Sequence, residues 1–350
     1  MTAVSSEQVP ATMRAALLLG VGGPEMLEIR DDVPVPTPAD GEALVRVSAC
    51  GMNNTDINTR VGWYGGPAGW GGGLQFPRVQ GADPCGRVVD IGLGVDPTLV
   101  GHRVIADPWT RGADPYDRAD VAYLGSERDG GFAEFCVIPA SNLYVVDSPY
   151  SDVELASFAC SYSTAEHMLT RVGLRAGQSI AITGASGGVG SALVQLAYGR
   201  GADVVAVTSR AKAELVRDLG AAAVVTREDG DVVAAALRVS GGRLDAVADV
   251  VGGPDVGAWL GALTRGGGYV TSGAIAGAMV EVDLRTVYLN DLELHGATVF
   301  PPEVFATLVQ RIRSGQVRPV ISQTFPLASI REAQEVFELK QHLGALVLTI

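Results

Sequence analysis

The segment Ser179-Ile-Ala-Ile-Thr-Gly-Ala-Ser-Gly-Gly-Val-Gly190 determines how the second half of the chain folds. Its apolar start predicts a buried strand over Ser179–Thr183, and the residues that follow predict a helix over Gly188–Gly199. Glycines between a strand and a helix leave backbone N–H groups open to a pyrophosphate, so the segment predicts a dinucleotide site. The predicted phosphate-binding residues are Ser186, Gly187, Gly188 and Val189.

Beyond this segment, apolar runs of strand length alternate with helical runs. The further predicted strands are Asp203–Thr208, Ala222–Thr226, Leu244–Val250 and Gly268–Ser272, and the helices between them are Ala211–Leu219, Asp229–Val239 and Asp255–Thr264. Apolar strands that alternate with helices predict a doubly wound parallel sheet covered on both faces. We expect this α/β domain to occupy residues 156–297.

The end of the strand Asp203–Thr208 predicts which dinucleotide binds. An NAD site needs an Asp or Glu about 20 residues after the glycine loop, to bind the ribose hydroxyls. This chain has Ser209, Arg210 and Lys212 there and no carboxylate. A hydroxyl, a guanidinium and an ammonium suit a 2′-phosphate, which favours NADP(H). The alternative is that Arg210 and Lys212 only face solvent.

Other cofactor contacts are expected where later strands end, because ligands of such sheets bind at the carboxyl ends of the strands. Position alone would also fit ordinary turns at these places. The predicted contacts are Val251, Gly252, Ser272, Gly273, Ala274 and Val299.

The chain before residue 156 has a different pattern. Short alternating runs such as Arg14–Leu19 and Glu42–Ser48, broken by Gly, Pro and Asp, predict an antiparallel β domain, a distorted barrel, at residues 13–155. The tail at residues 298–350 has no evident place in the parallel sheet, so we expect it to return and complete the first domain. Residues 1–12 are expected to form a disordered tail.

Gly62–Gly73 contains seven glycines in twelve residues, with two Trp and a Tyr. This composition predicts a surface loop, either a lid or a feature without function.

Composition excludes several classes of function. The net charge of −13, from 26 basic and 39 acidic residues, disfavours nucleic acid and anionic lipid as partners. No apolar run reaches the length of a membrane span, and the start of the chain lacks the pattern of a signal peptide, so a cytoplasmic location is expected. The four cysteines form no Cys-x-x-Cys pair, which argues against a zinc ribbon.

Together these features resemble the medium-chain dehydrogenase/reductase superfamily over residues 13–350. The resemblance implies a GroES-like antiparallel β-barrel domain joined to a Rossmann domain. In the zinc alcohol dehydrogenases of that superfamily, three positions bind the catalytic metal, and here they correspond to Asn53, Ala82 and Cys160. One surviving ligand cannot hold a catalytic zinc, so we expect no metal. A replacement set of Asn53, Asp83 and Cys160 stays open.

The spacing Asn53-x-x-Asp56-x-x-x-Arg60-x-Gly62-x-Tyr64 is similar to that of the zinc-free quinone oxidoreductase, or zeta-crystallin, branch. The resemblance implies that Asn53 and Tyr64 face the nicotinamide and the substrate, and that Thr164 packs beside the nicotinamide. Each could instead have only a structural role. Asp56 and Arg60, four residues apart, are expected to form an ion pair on a short helix.

Without a metal, a substrate carbonyl must be polarised by hydrogen bonds and must receive a proton. Tyr64 is the candidate proton donor and Asn53 the group that orients the carbonyl. The sequence therefore predicts an NADPH-dependent, zinc-independent reductase of a quinone or an α,β-unsaturated carbonyl. The alternatives are a zinc alcohol dehydrogenase with atypical ligands and a non-catalytic NADPH-binding protein, as lens crystallins are. The resemblance also implies a homodimer formed through the apolar edge Leu292–Phe300.

Overall fold

The computed structural model describes residues 9–64 and 74–350. The expected disordered tail and the glycine-rich loop Gly62–Gly73 lie largely outside the described residues. The chain divides into two compact units, and the boundary falls after Cys160. Pro301–Arg313 and Pro319–Ile350 belong to the first unit, whereas Ser161–Phe300 and Ser314–Arg318 form the second.

The first part of the chain consists of short strands and two short helices. They are β1 (Thr12–Leu18), β2 (Leu27–Pro34), β3 (Glu42–Met52), α1 (Asn54–Arg60), β4 (Arg78–Val79), β5 (Asp83–Ile91), β6 (Arg103–Ala106), β7 (Trp109–Arg111), β8 (Val121–Tyr123), β9 (Phe135–Pro139), β10 (Leu143–Val145) and α2 (Asp152–Leu155).

Strands and helices alternate from there on. They are α3 (Ala159–Arg171), β11 (Ser179–Ile182), α4 (Gly188–Gly199), β12 (Asp203–Thr208), α5 (Ala213–Asp218), β13 (Ala223–Thr226), α6 (Val232–Val239), β14 (Leu244–Asp249), α7 (Val256–Gly261), β15 (Leu263–Thr271), α8 (Leu284–Leu289) and β16 (Glu293–Gly296). The tail contains α9 (Pro302–Arg313), β17 (Ile321–Pro326), α10 (Ile330–Glu338) and β18 (Ala345–Thr349). Short 3-10 turns cover Pro24–Met26, Pro97–Leu99, Ala140–Asn142, Arg210–Lys212, Arg227–Asp229 and Leu327–Ser329.

The antiparallel fold predicted for the first unit is confirmed. Its largest sheet has the order β10-β6-β5-β3-β18-β17, and β9 also pairs with β3. Only one pair in that sheet, β17 with β18, is parallel among the described residues. The last strand of the chain pairs with β3, with Leu348 opposite Cys50. This pairing ties the end of the chain to the sheet on which the first unit is built.

Strand β2 was not predicted from the sequence. Its sequence, Leu-Glu-Ile-Arg-Asp-Asp-Val-Pro, is largely exposed and lacks an apolar face. It forms because its backbone pairs antiparallel with β1, from Leu27 opposite Leu18 to Pro34 opposite Thr12. Pairing with a neighbour has therefore overridden a weak local pattern.

The parallel sheet predicted for the second unit is also confirmed. Six strands lie in the order β13-β12-β11-β14-β15-β16, and every pair is parallel. Helix α4 and strand β12 have the predicted bounds. Strand β15 begins earlier than predicted because Leu263 already pairs with Leu244 on β14. Among the described residues, no helix combines the length and the apolar character that crossing a membrane requires.

Candidate active site

The glycine loop after β11 has the geometry of a phosphate cradle. Gly184 has a positive φ of 58°, and a Cβ there would lie 2.9 Å from the side chain of Val250. At Gly190 a Cβ would lie 2.1 Å from the carbonyl oxygen of Gly184, so only glycine lets helix α4 pack against the loop. At Gly187 the nearest atom to a Cβ would be 3.6 Å away, which leaves that side of the loop open.

This geometry fits the pyrophosphate of a dinucleotide. The first N–H groups of helix α4 have no intrahelical acceptor, as at every helix start, and the open side at Gly187 gives an anion room to approach them. The predicted phosphate-binding residues, all half-buried, are Ser186, Gly187, Gly188 and Val189.

Asp249 organises the turn that follows β14, a role that the sequence did not indicate. Its carboxylate is buried and accepts hydrogen bonds from the backbone N–H groups of Val251 (2.8 Å) and Gly252 (3.1 Å). It also accepts from the hydroxyls of Tyr269 (2.5 Å) and Thr183. Because Thr183 leads into the glycine loop, this one carboxylate links the loop to the turn. The sequence feature that could have indicated this role is an Asp at the end of an apolar strand.

Two other predicted cofactor residues, Ser272 and Gly273, follow the end of the neighbouring strand β15. A Cβ at Gly273 would lie 2.9 Å from the carbonyl oxygen of Val250, so the turns after β14 and β15 are in close contact. The Ser272 hydroxyl lies 3.1 Å from the sulfur of Met168 on helix α3. Thr164, Ala274 and Val299 are half-buried.

At the end of β12, the predicted cationic residues are joined by carboxylates from the next strand. The backbone N–H of Arg210 donates to Glu228 (3.0 Å), and the Arg210 guanidinium pairs with Asp229. Ser209 is half-buried. Burial, and to a lesser degree Arg227, lower the pKa of Lys212. Sequence reasoning missed these carboxylates because they follow β13, well beyond the expected position.

In the first unit, Asn53 belongs to a buried polar cluster. Its backbone N–H donates to Asp56 (2.7 Å) at the start of helix α1, and its side-chain amide donates to Asp83 (2.9 Å). The second oxygen of Asp83 accepts from the backbone N–H of Cys160 (2.8 Å). Asp83 thus fixes both Asn53 and the start of helix α3.

The two carboxylates of this cluster hold protons more firmly than usual. Burial raises the pKa of Asp56 to about 7 and that of Asp83 to about 7, although the hydrogen bonds that each accepts oppose the shift. The predicted Asp56–Arg60 ion pair is wrong. Asp56 instead accepts from Asn53 and from the backbone N–H of Gly81 (3.2 Å), while the buried Arg60 pairs with Glu338 on helix α10 (2.9 Å).

Two tyrosines extend the cluster. The Tyr64 hydroxyl accepts from the side chain of Asn58 (3.1 Å), and burial raises the pKa of Tyr64. The buried Tyr123 hydroxyl donates to the Cys160 sulfur (3.0 Å), and burial raises its pKa as well. Tyr123 was missed because it lies in the segment Asp107–Arg128, which the sequence presents only as a polar insertion.

The residues present do not fit a catalytic zinc. The Asn53 amide is bonded to Asp83, Cys160 accepts from Tyr123, and a fully buried alanine, Ala82, stands where the zinc enzymes have His. Within residues 9–64 and 74–350, no three His, Cys, Asp or Glu side chains are grouped so that they could hold a metal ion. In the open replacement set of Asn53, Asp83 and Cys160, the first two are hydrogen-bonded to each other and Cys160 accepts from Tyr123.

Comparison with known proteins places both units in described families. Residues 39–148 match the family described as alcohol dehydrogenase GroES-like domain, and residues 188–314 match the family described as zinc-binding dehydrogenase.

Whole-chain relatives include reductases and dehydrogenases. A crystal structure of a candidate alcohol dehydrogenase from Sinorhizobium meliloti 1021 has a TM-score of 0.94 and 46% identity, covering 98% of each chain. The quinone oxidoreductase of Rattus norvegicus is 27% identical and covers 97% of this chain and 98% of its own. An acryloyl-coenzyme A reductase of Metallosphaera sedula is also 27% identical and covers 96% and 100%. Alcohol dehydrogenases, some of them NAD-dependent, match at similar identity.

Proposed function

Because the chain belongs to the medium-chain dehydrogenase/reductase superfamily, we propose that this oxidoreductase is an NADPH-dependent, zinc-independent reductase. Its substrate is a quinone or an α,β-unsaturated carbonyl compound. The observation on which the proposal rests is the state of the metal positions. Of these three positions, Asn53 is an amide bonded to a carboxylate and Ala82 is a methyl group, so Cys160, whose sulfur accepts a hydrogen bond from a tyrosine, is the one metal ligand that remains.

This donor set favours reduction of a conjugated carbonyl over oxidation of an alcohol. Alcohol oxidation requires a group that stabilises an alkoxide, usually a Lewis acid. Reduction of a conjugated carbonyl requires hydrogen bonds to the oxygen and a proton to complete the reaction. The bound nicotinamide supplies the hydride. Tyr64 and Asn53 supply the proton and the hydrogen bond.

Tyr64 suits the role of proton donor. Its oxygen already accepts a hydrogen bond from Asn58, which leaves its own proton for another acceptor. A tyrosine hydroxyl is protonated at neutral pH, and burial raises the pKa of Tyr64 further. Asn53 suits the role of orienting group, because Asp83 holds one of its amide N–H bonds in place.

For the cofactor we propose NADPH, bound at its 2′-phosphate by Ser209, Arg210 and Lys212. These residues follow β12, where the NAD enzymes of this fold have a carboxylate. The proposed pyrophosphate cradle is the glycine loop with helix α4, and the turns after β14 and β15 contact the rest of the cofactor.

We also propose a homodimer. Strand β16 is an edge of the parallel sheet, and Leu294 on it is half exposed. Helix α8 adds the exposed side chains of Leu284, Tyr288 and Leu289 nearby in sequence. An exposed apolar edge strand is a ready surface for pairing with a second copy. Sedimentation at twice the monomer mass is the expected result at micromolar protein, and sedimentation at the monomer mass would contradict it.

A substrate panel tests the proposed activity. Quinones, enones, enoyl thioesters and primary alcohols are each assayed with NADPH or NADP, with and without a strong chelator, and the metal content of the protein is measured. We expect oxidation of NADPH with one of the conjugated carbonyls or quinones, unchanged by chelation. Activity confined to alcohols, or lost on chelation, would support the zinc-dependent alternative. Binding of NADPH without turnover of any compound would support the non-catalytic alternative.

A further inference from the structure

The end of strand β12 is next to a pair of carboxylates in the turn that follows the neighbouring strand. Strands β12 and β13 are parallel and in register, with Thr208 opposite Thr226. The residues that follow each strand therefore emerge side by side. After β12 comes Arg210, and after β13 comes the turn that contains Glu228 and Asp229.

Two donors of Arg210, one on its backbone and one on its guanidinium, are bonded to these carboxylates. Its backbone N–H donates to Glu228 at 3.0 Å, and its guanidinium pairs with Asp229. Asp229 is also bonded to the Thr226 hydroxyl, which fixes it at the end of β13. The Arg210 and Asp229 side chains are 68% and 52% exposed, so the pair is weak enough to open for a ligand.

We propose that Glu228 and Asp229 limit the preference of this enzyme for NADPH over NADH. Each carboxylate is bonded to a donor of Arg210 and places negative charge where a 2′-phosphate would bind. The proposal rests on the function proposed above, because it assigns the residues after β12 to the adenosine end of the cofactor.

The chemistry of the two cofactors explains the direction of the effect. A 2′-phosphate carries close to two negative charges and is repelled by nearby carboxylates, and it also competes with them for Arg210. NADH has a 2′-hydroxyl, which can donate to a carboxylate as it does to the Asp or Glu of an NAD site. The end of β12 has no carboxylate to accept a hydrogen bond from this ribose hydroxyl. Glu228, from the turn after β13, can accept it instead.

The surrounding charges are mixed. Arg227 and Lys212 add positive charge beside Arg210, and burial lowers the pKa of Lys212. An anion at this position would raise the pKa of Lys212 again, so the ammonium group and the phosphate would stabilise each other. The carboxylates act against these cations, so removing one carboxylate shifts the balance toward NADPH.

The test is a binding titration of four nucleotides to the full-length protein. NADPH and 2′,5′-ADP contain the 2′-phosphate, whereas NADH and 5′-AMP do not. The variants are E228Q and D229N, and E214Q is the matched control. Glu214 is an exposed acid on helix α5 whose carboxylate lies 4.0 Å from Arg217, so E214Q changes the net charge equally at a carboxylate that pairs with Arg217 instead of Arg210.

We expect E228Q and D229N each to bind NADPH and 2′,5′-ADP about two- to fivefold more tightly than the wild type, the size of one exposed charge interaction. Their affinity for NADH and 5′-AMP should stay equal or fall. The gain should shrink at high salt, and E214Q should show less of it.

Unchanged or weaker binding of both phosphate-bearing nucleotides in both variants would overturn the inference, as would an equal gain in E214Q. A failure of the proposed function would be visible in the titration of the wild type, which would then bind neither NADPH nor 2′,5′-ADP. The inference would fall with it. Thermal unfolding of each variant checks that the fold is intact.

Discussion

Replacing Tyr64 with Phe removes one oxygen from the proposed proton donor and leaves the ring in place. Among the described residues the hydroxyl has one hydrogen-bond partner, the Asn58 amide, which donates to it at 3.1 Å. In the proposed reaction the Tyr64 proton goes to a substrate oxygen; the hydroxyl is protonated at neutral pH, and burial raises its pKa further. General acid catalysis contributes about 10²–10⁴-fold, and water can replace part of that. We therefore expect kcat of Y64F to fall by at least about tenfold, or about 1.4 kcal/mol.

The assay follows NADPH oxidation with the best substrate of the panel and, separately, NADPH binding by fluorescence. Binding should remain within about twofold of the wild type, because Tyr64 belongs to the first unit and the phosphate cradle to the second. Tyr116 supplies the control, since its exposed hydroxyl is bonded to Glu303 and Y116F removes the same atom elsewhere in the first unit. A Y64F enzyme with the full rate would refute the reasoning and leave Tyr64 a packing residue.

Three further outcomes are expected. Arg210→Ala should weaken NADPH binding by about tenfold and NADH binding by less than about twofold in the same titration, since a charge-assisted bond contributes about 1.5–3 kcal/mol; equal losses would show that Arg210 does not contact the 2′-phosphate. Asp249→Asn should lower the free energy of unfolding by about 1–3 kcal/mol and weaken NADPH binding. The reason is that one carboxylate oxygen becomes an NH₂ group, which cannot accept from the Val251 N–H or the Tyr269 hydroxyl. A variant as stable as the wild type in urea would contradict this. Burial raises the pKa of Asp83 to about 7, so its carboxyl stabilises the fold most below pH 4 and loses that contribution as the pH rises to about 7, by up to about 1.4 kcal/mol per pH unit. In urea unfolding between pH 5 and 8, the stability of D83N should therefore depend less on pH than that of the wild type. Identical pH profiles of the two proteins would show that Asp83 ionises normally.

The sequence predicts best where a local pattern and the final packing agree. Helix α4 and strand β12 have the predicted bounds because a glycine loop and an apolar strand each mark their own ends. Strand β2 escaped prediction because its stability comes from the partner strand β1 and not from an apolar pattern of its own. Elements whose partners are distant in sequence are the ones that a local reading misses.

The same limit applies to the candidate site. Motif spacing identified the loop Gly184–Gly190 and singled out Asn53, whose side chain lies in the buried cluster. It missed Glu228, which reaches Arg210 only because β12 and β13 are in register, and it paired Arg60 with Asp56 instead of Glu338. In each miss the decisive contact joins segments that are far apart in sequence.

The buried cluster in the first unit favours the neutral forms of its acidic groups. Burial raises the pKa of Asp83, of Tyr64 and of Tyr123, so at neutral pH each holds its proton more firmly than it would in water. Alcohol oxidation needs a group that stabilises an alkoxide, and these neutral groups carry no positive charge with which to do so. In the proposed reaction the reduced carbonyl needs a proton, and the neutral Tyr64 hydroxyl is the group that supplies it. We infer that replacing two of three metal ligands by Asn53 and Ala82, with the remaining Cys160 hydrogen-bonded to Tyr123, changes the substrate class that the site suits, from alcohols activated by a metal ion to conjugated carbonyls activated by hydrogen bonds.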